Sequence, residues 1–169
     1  MRTSELLADG FERVREEVVA AVDGLGEDEL AHRVDGRGNS IGWLVWHLTR
    51  VQDDHVSEVA GVDQVWSSEG WAQRFGLPFT EDATGYAQTS DEVAQLHVSA
   101  DLLTGYYDSV HRATLAYVAT ITDPDLDLIV DERWDPPVSL GVRLVSVISD
   151  DLQHVGQAAF IRGLLRPTG

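Results

Sequence analysis

The sequence predicts an all-α protein, a bundle of four long helices, and three observations carry that prediction. Apolar residues recur at three- and four-residue steps along four long stretches, which is the signature of amphipathic helices. Period-two alternation, the mark of half-buried strands, is almost absent. Capping residues and glycine or proline stops punctuate the stretches. The 169 residues suit one domain, residues 1–169, large enough to bury a core without covalent staples.

The first helix is expected over Ser4 to Val22, where Leu7, Phe11, Val14, Val18 and Val22 form one stripe. Thr3 is placed to cap it, and Gly24 and Gly26 to stop it. After a connector containing Asp35-Gly-Arg-Gly38, Asn39 or Ser40 can cap a second helix that runs to about Ala60 and ends at Gly61. From Gly61 to Gln88 periodicity fails, with Trp66, Trp71, Phe75, Phe79 and Tyr86 scattered among Gly70, Gly76, Pro78 and Gly85. The expectation is a long aromatic loop, able to cross the bundle and serve as a cover. Thr89 followed by Glu92 matches a capping box. It opens a third helical region, breakable near Ser99, that continues through Leu102, Leu103, Tyr106, Val110, Leu115 and Val118 and ends by Ile121. Asp123-Pro124 marks the stop, Leu128-Ile-Val130 reads as a short extended piece, and a fourth helix runs from about Ser139 to Leu165.

Composition narrows the function. Cysteine is absent, so no disulfide, thiolate ligand or cysteine nucleophile is available, and sulfur chemistry requires a thiol from outside. Twelve arginines and no lysine stand against 29 acidic residues, a formal charge of -17. Such a field repels phosphate backbones and anionic lipid, and no basic stripe opposes it, so neither nucleic acid nor membrane is expected as a partner. With no long apolar run, and Glu5, Asp9 and Glu12 where a signal peptide would be apolar, the expected location is cytoplasmic.

Two segments offer metal-ligand chemistry. Residues four apart on an α-helix lie about 40° apart around the axis and about 6 Å along it, so Asp150 and His154 can converge on one ion. The same spacing also gives an ordinary intrahelical contact. His47 sits among Ile41, Trp43, Leu44, Trp46 and Leu48, where an unpaired imidazole costs roughly 1 to 3 kcal/mol, so it needs a partner, either a main-chain carbonyl or a metal. Together the two helices offer three donors with an open coordination position, as catalytic zinc requires. Other chemistries lack their parts: there is no HExxH, Walker glycine loop, GxGxxG or GxSxG elbow. Two histidines and one carboxylate also match a non-haem iron triad in composition, which keeps a metal-dependent oxygenase as an alternative.

Around these three, Arg50 can clamp an anionic substrate group or pair with Asp53 or Asp54. Asp54 shares nearly the angular face of His47 but lies about 10 Å along the axis, too far to join the same ion. His55 is an exposed helix residue or an acid–base group, and Gln157 a donor one turn past His154. Trp43, Trp46, Trp66, Trp71 and Trp134 serve either as core or as aromatic walls for a sugar-bearing thiol. His32, His97 and His111 have no local partners and are assigned to the surface or to helix faces.

The stretch Asn39-Ser-Ile-Gly-Trp-Leu-Val-Trp-His-Leu-Thr-Arg-Val-Gln-Asp-Asp-His55, with Gly70-Trp71, Arg74-Phe-Gly-Leu-Pro-Phe79 and Asp151-Leu-Gln-His-Val-Gly-Gln157, resembles the DinB-like superfamily. More narrowly it is similar to the branch of mycothiol-dependent S-transferases and the mycothiol-dependent maleylpyruvate isomerase, over essentially the whole chain. The resemblance implies a four-helix bundle holding a divalent metal, commonly zinc or nickel, on three side chains of the second and fourth helices. Here those are His47, Asp150 and His154. Many members carry His-x3-His on the last helix; Asp150 takes the first of those places, as a Glu does in the isomerase branch, which makes the site more anionic and leaves the metal's identity open.

A metal that favours thiolate over thiol has limited leverage, because a thiol of pKa about 8.5 is already about 3% ionised at neutral pH. Full ionisation gains roughly 30-fold, less the nucleophilicity lost with the lower pKa. Positioning the sulfur beside an electrophile must supply more. The expected activity is transfer of a low-molecular-weight thiol, mycothiol by resemblance, to an electrophilic small molecule, a detoxification chemistry, with a thiol-dependent isomerase as a variant. The contrasting hypothesis is a non-catalytic metal-binding bundle, a homodimer among its forms, retained for stress response or partner contact.

Overall fold

A computed structural model describes residues 1–166; Pro167, Thr168 and Gly169, which the expected 1–169 unit includes, lie outside the described residues. Four long helices dominate: α1, Thr3–Val22; α2, Ile41–Ala60; α3, Ala100–Val118; and α4, Leu140–Leu165. Serine hydroxyls cap three of them by accepting an orphan N–H of the first turn, Ser40 from Trp43, Ser99 from Leu102 and Ser139 from Val142. Gly61, with φ of +67°, closes α2 as the sequence predicts. The start of α1 differs from expectation. Thr3 lies inside the helix and donates its hydroxyl to Asp123, while the Glu5 carboxylate accepts the Arg2 N–H at 2.8 Å.

Each long helix packs mainly against two others, in the cyclic order α1, α4, α2, α3, with the α2–α4 contact the most extensive. Helices consecutive in the chain, α1 with α2 and α3 with α4, therefore sit mainly on diagonals. The apolar stripe of α1 is buried as predicted, with Phe11, Val14 and Val18 fully enclosed. In α2 burial is nearly complete: every residue from Ile41 to Asp53 is buried. His111, assigned to the surface or to a helix face, is buried on α3 with Nε2 2.8 Å from Glu12 of α1, which corrects the surface alternative.

The stretch between α2 and α3 is more ordered than a plain loop. It contains helical turns at Val65–Ser68, Trp71–Phe75 and Ser90–Val93. Pieces this short cannot show helical periodicity, so the sequence reads as irregular there. The Thr89–Glu92 capping box opens only the last of these turns, and the chain breaks before Ser99 restarts it as α3. One buried carboxylate anchors this segment. Asp53 of α2 accepts the orphan N–H groups of Val65 and Trp66 at 2.9 and 2.8 Å, and the Tyr106 hydroxyl of α3 at 2.8 Å.

Between α3 and α4 a 3-10 turn, Asp123–Asp127, precedes a two-stranded antiparallel hairpin, β1 (Ile129–Asp131) and β2 (Val138–Ser139). Buried Asp131 accepts from the Arg133 main-chain N–H and from its Nε and Nη2 at 2.8 Å each, and from Nη2 of Arg143 on α4 at 3.1 Å. The hairpin is thereby tied to α4. No helix among the described residues is long and apolar enough to cross a membrane.

Two outcomes follow. Removing one partner of a buried, hydrogen-bonded charge pair costs roughly 3 to 5 kcal/mol, so Asp53→Ala should lower unfolding free energy by about 3 kcal/mol or more in equilibrium urea titration. The Arg133 side chain, then its N–H, holds the Asp131 carboxyl well below the ordinary carboxylate range. A depressed folded pKa gives stability that is complete above the unfolded value, about 4, and is lost as pH falls towards the folded one. Asp131→Asn should therefore melt below wild type at pH 7, and calorimetry should show the gap narrowing as pH falls below about 4.

Candidate metal centre

The site forms where α2 and α4 pack together. His47 of α2 and Asp150 and His154 of α4 each offer one ligand atom, and these atoms lie within 4.8 Å of one another. The two imidazoles meet edge to face with centroids 4.7 Å apart. In both rings Nδ1 faces a carbonyl, which can only accept, so Nδ1 carries the proton: His47 donates to Thr84 at 2.5 Å and His154 to Asp150 of its own helix at 2.8 Å. In the neutral ring Nε2 then keeps a lone pair. A carbonyl on the distal nitrogen fixes tautomer and ring orientation in the way metal-binding histidines require.

The carboxyl group completes a fitting donor set. Asp150 Oδ2 lies 3.2 Å from His154 Nδ1, yet that N–H is aimed at the main-chain carbonyl, and the buried oxygen has no hydrogen-bond partner among the described residues. Burial pushes the Asp150 carboxyl up, but His154, His47 and His55 together more than offset it, so its pKa stands below the ordinary value. Burial lowers His47, which keeps its imidazole neutral. His154 is raised by its Asp150 partner. Two imidazole nitrogens and a carboxylate oxygen at this spacing suit a borderline divalent ion such as zinc. Asp151, the next residue, is fully buried with neither oxygen partnered, and burial followed by the charge of Asp150 drives its pKa far up.

The segment after the aromatic turns completes the surroundings of His47. Gly85 has φ of +102°, and a Cβ there would lie 2.5 Å from His47 Nδ1 and 3.1 Å from the Trp43 ring. Only glycine lets the main chain approach closely enough for Thr84 to hold the imidazole. Trp43 stacks on the His47 ring, centroids 4.7 Å apart, and donates Nε1 to Gln88 at 2.7 Å. Tyr86 meets the His47 ring edge on at 5.3 Å while remaining 61% exposed.

Several sequence-selected residues lie elsewhere. Arg50 is fully buried and cannot clamp a substrate. It donates Nε to Ala83 at 3.0 Å and Nη1 to Gln64 at 2.8 Å, lies 3.6 Å from Asp53, and stacks on Trp66. Its role is to hold the residue before Thr84. Trp46 and Trp71 are core residues: Trp46 packs on Trp66 and Phe79, and Trp71 on Tyr106 and Arg74. Trp43 touches the site but is buried too deeply to present a face to a sugar. Gln157 is exposed, and Asp54 accepts from Gln64 at 2.6 Å. His55 is half-buried; its Nδ1 accepts from Arg143 at 3.0 Å, and burial followed by that guanidinium lowers its pKa, so it is neutral with Nε2 protonated.

Beside Asp150 opens a cavity of about 800 Å³. Val51, Val138, Val147, Tyr86 and Trp134 give it an apolar wall, and His55, Ser146, Asp131, Arg133 and Arg143 a polar one. Sequence reading missed most of this lining: Tyr86, Asp131, Arg133 and Val138 come from the crossing segment and the hairpin, whose side chains have no periodic signal, and Val51, Arg143, Ser146 and Val147 come from α2 and α4, where helical periodicity does not separate a cavity wall from core. Asp131-Glu-Arg133 was the one local clue, a two-residue spacing that suits a turn ion pair.

The family model for Mycothiol-S-transferase matches residues 6–167. Among solved structures, one titled as the crystal structure of the conserved protein of locus from Enterococcus faecalis is similar, with a TM-score of 0.90 and 29% identity over 97% of each chain. No curated protein matches significantly.

Gly85→Ala is expected to push the loop off His47 and weaken zinc affinity at least about tenfold, the scale seen when an outer partner of a metal-binding histidine is lost. Competition against a chromophoric chelator measures it, with far-UV circular dichroism unchanged. Equal affinity would show that the Thr84 carbonyl does not orient the imidazole.

Proposed function

The chain belongs to the mycothiol S-transferase family of DinB-like bundles, and on that footing we propose that it is a zinc-dependent enzyme transferring a low-molecular-weight thiol, mycothiol, to an electrophilic small molecule. The observation that carries the reading is the convergence of three donor atoms within 4.8 Å, with both Nδ1 protons already committed to carbonyls. His47 Nε2, His154 Nε2 and an Asp150 oxygen would hold the ion. When bound, the ion supplies positive charge that favours thiolate over thiol near neutral pH.

The chain's own residues supply the rest. The neighbouring cavity seats the electrophile against Trp134, Tyr86, Val51 and Val147. Confinement beside the sulfur raises the effective concentration of the reacting pair, a term worth several kcal/mol and larger than the gain from ionisation. His55 offers an Nε2–H, and Tyr86 a phenol kept protonated by burial and by the nearby carboxylates of Asp150 and Asp54. Both can donate hydrogen bonds to an electrophile's polar groups without losing a proton. As the sulfur–carbon bond forms, the leaving group departs with its bonding pair and the thiol's proton is released.

Elemental analysis of protein purified without chelator or metal-affinity steps should find one zinc per chain, and Asp150→Ala and His154→Ala should lose it. Mycothiol consumption with monobromobimane should exceed the uncatalysed rate and fall at least about 100-fold in the same variants, since removing a ligand removes the ion on which the reading rests. A full complement of metal without mycothiol turnover would leave a metal-binding bundle and no transferase.

A further inference from the structure

We infer that the cavity beside Asp150 selects by charge: it accepts flat, apolar electrophiles that are uncharged or cationic and rejects those bearing a carboxylate. The inference takes its chemistry from the transferase reading, but its binding component can be tested apart from turnover.

The wall offers a planar ligand two largely exposed rings, Trp134 at 66% and Tyr86 at 61%, with the methyl groups of Val51, Val138 and Val147. An anionic group would need a cation; apart from the ion that the transferase reading places on His47, Asp150 and His154, whose charge the Asp150 carboxylate and the thiolate would offset, the wall supplies only the side chains of Arg133 and Arg143. Neither is free. Asp131 takes Nε and Nη2 of Arg133 and Nη2 of Arg143, and Arg143 Nη1 donates to Glu58 and to His55. A ligand carboxylate would have to displace a buried carboxylate held by four donors, counting the Arg133 main-chain N–H, rather than fill an empty place. The adjoining depression, which shares His55 and Arg133, adds Asp54, Glu58, Asp63, Glu81 and Asp82. The entering anion thus meets an excess of carboxylates, and like-charge juxtaposition is the costly arrangement.

In the proposed step, sulfur attacks the ring carbon that bears chloride in a chlorodinitroarene. The sulfur–carbon bond forms, the carbon–chlorine bond breaks, chloride leaves with the bonding pair and the thiol proton passes to solvent. No redox partner is required.

Two ligand pairs test the charge rule. With mycothiol as thiol, kcat/KM divided by the uncatalysed rate should be at least about tenfold higher for 1-chloro-2,4-dinitrobenzene than for 4-chloro-3,5-dinitrobenzoate. Independently of turnover, 1,3-dinitrobenzene should quench tryptophan fluorescence saturably and 3,5-dinitrobenzoate should not, with Trp134→Phe identifying the reporting ring. Asp131→Asn, which removes the carboxylate shared by Arg133 and Arg143 while Arg143 keeps Glu58, should recover binding of the benzoate. Equal binding of the two ligands by wild type, or saturable quenching by neither, overturns the inference. Selective binding of the neutral ligand with turnover of neither substrate would uphold the cavity's preference while removing the transferase.

Discussion

The buried ion pair between Arg50 and Asp53 on α2 is the constraint on which the site depends. Enclosing a guanidinium and a carboxylate is costly unless nearly every donor and acceptor is used. Here most are. Asp53 takes two main-chain N–H groups and a phenol, while Arg50 takes the Ala83 carbonyl, the Gln64 amide and the face of Trp66. All of these partners except Tyr106 lie on the segment that crosses from α2 to α3. The pair therefore fixes that segment at both ends, at Val65–Trp66 and at Ala83. The next carbonyl after Ala83 is the one that orients His47.

Much of the bundle was legible because its elements announce themselves locally. A stripe at helical spacing, a serine before it and a glycine after it define α2 within a residue of its observed ends. Asp150 and His154 were legible for the same reason, since four residues along one helix fix their separation. Arg50 was legible only in part. Its spacing from Asp53 suggested the ion pair that forms, at 3.6 Å, but its hydrogen-bond partners Gln64, Ala83 and Tyr106 are brought to it only by tertiary folding. The aromatic stretch hid its two early helical turns because each is too brief to repeat. Gly85 looked like one loop glycine among several, and its significance appears only when the imidazole is seen against its α-carbon.

Asp150 and Asp151 show how one step along a helix separates chemical roles. Successive residues point about 100° apart. That rotation carries Asp150 to the mouth of the cavity, beside two imidazoles, where its negative charge is favoured. It turns Asp151 into the core, where no donor meets it and the neutral acid is the favoured form. Two like carboxyls in adjacent positions thus have their pKa values moved in opposite directions by their surroundings alone.

The position of Asp131 has a consequence for how this scaffold can diversify. One carboxylate both fastens the hairpin to α4 and neutralises the arginines that face the ligand, so mechanical integrity and electrostatic selectivity share a single atom group. Mutational drift at that residue would alter robustness and ligand choice together, a pleiotropic change that selection seldom tolerates. Trp134, largely exposed, carries no such double duty. Lineages acquiring new substrates on this architecture should accumulate their replacements there first, leaving the charged latch intact.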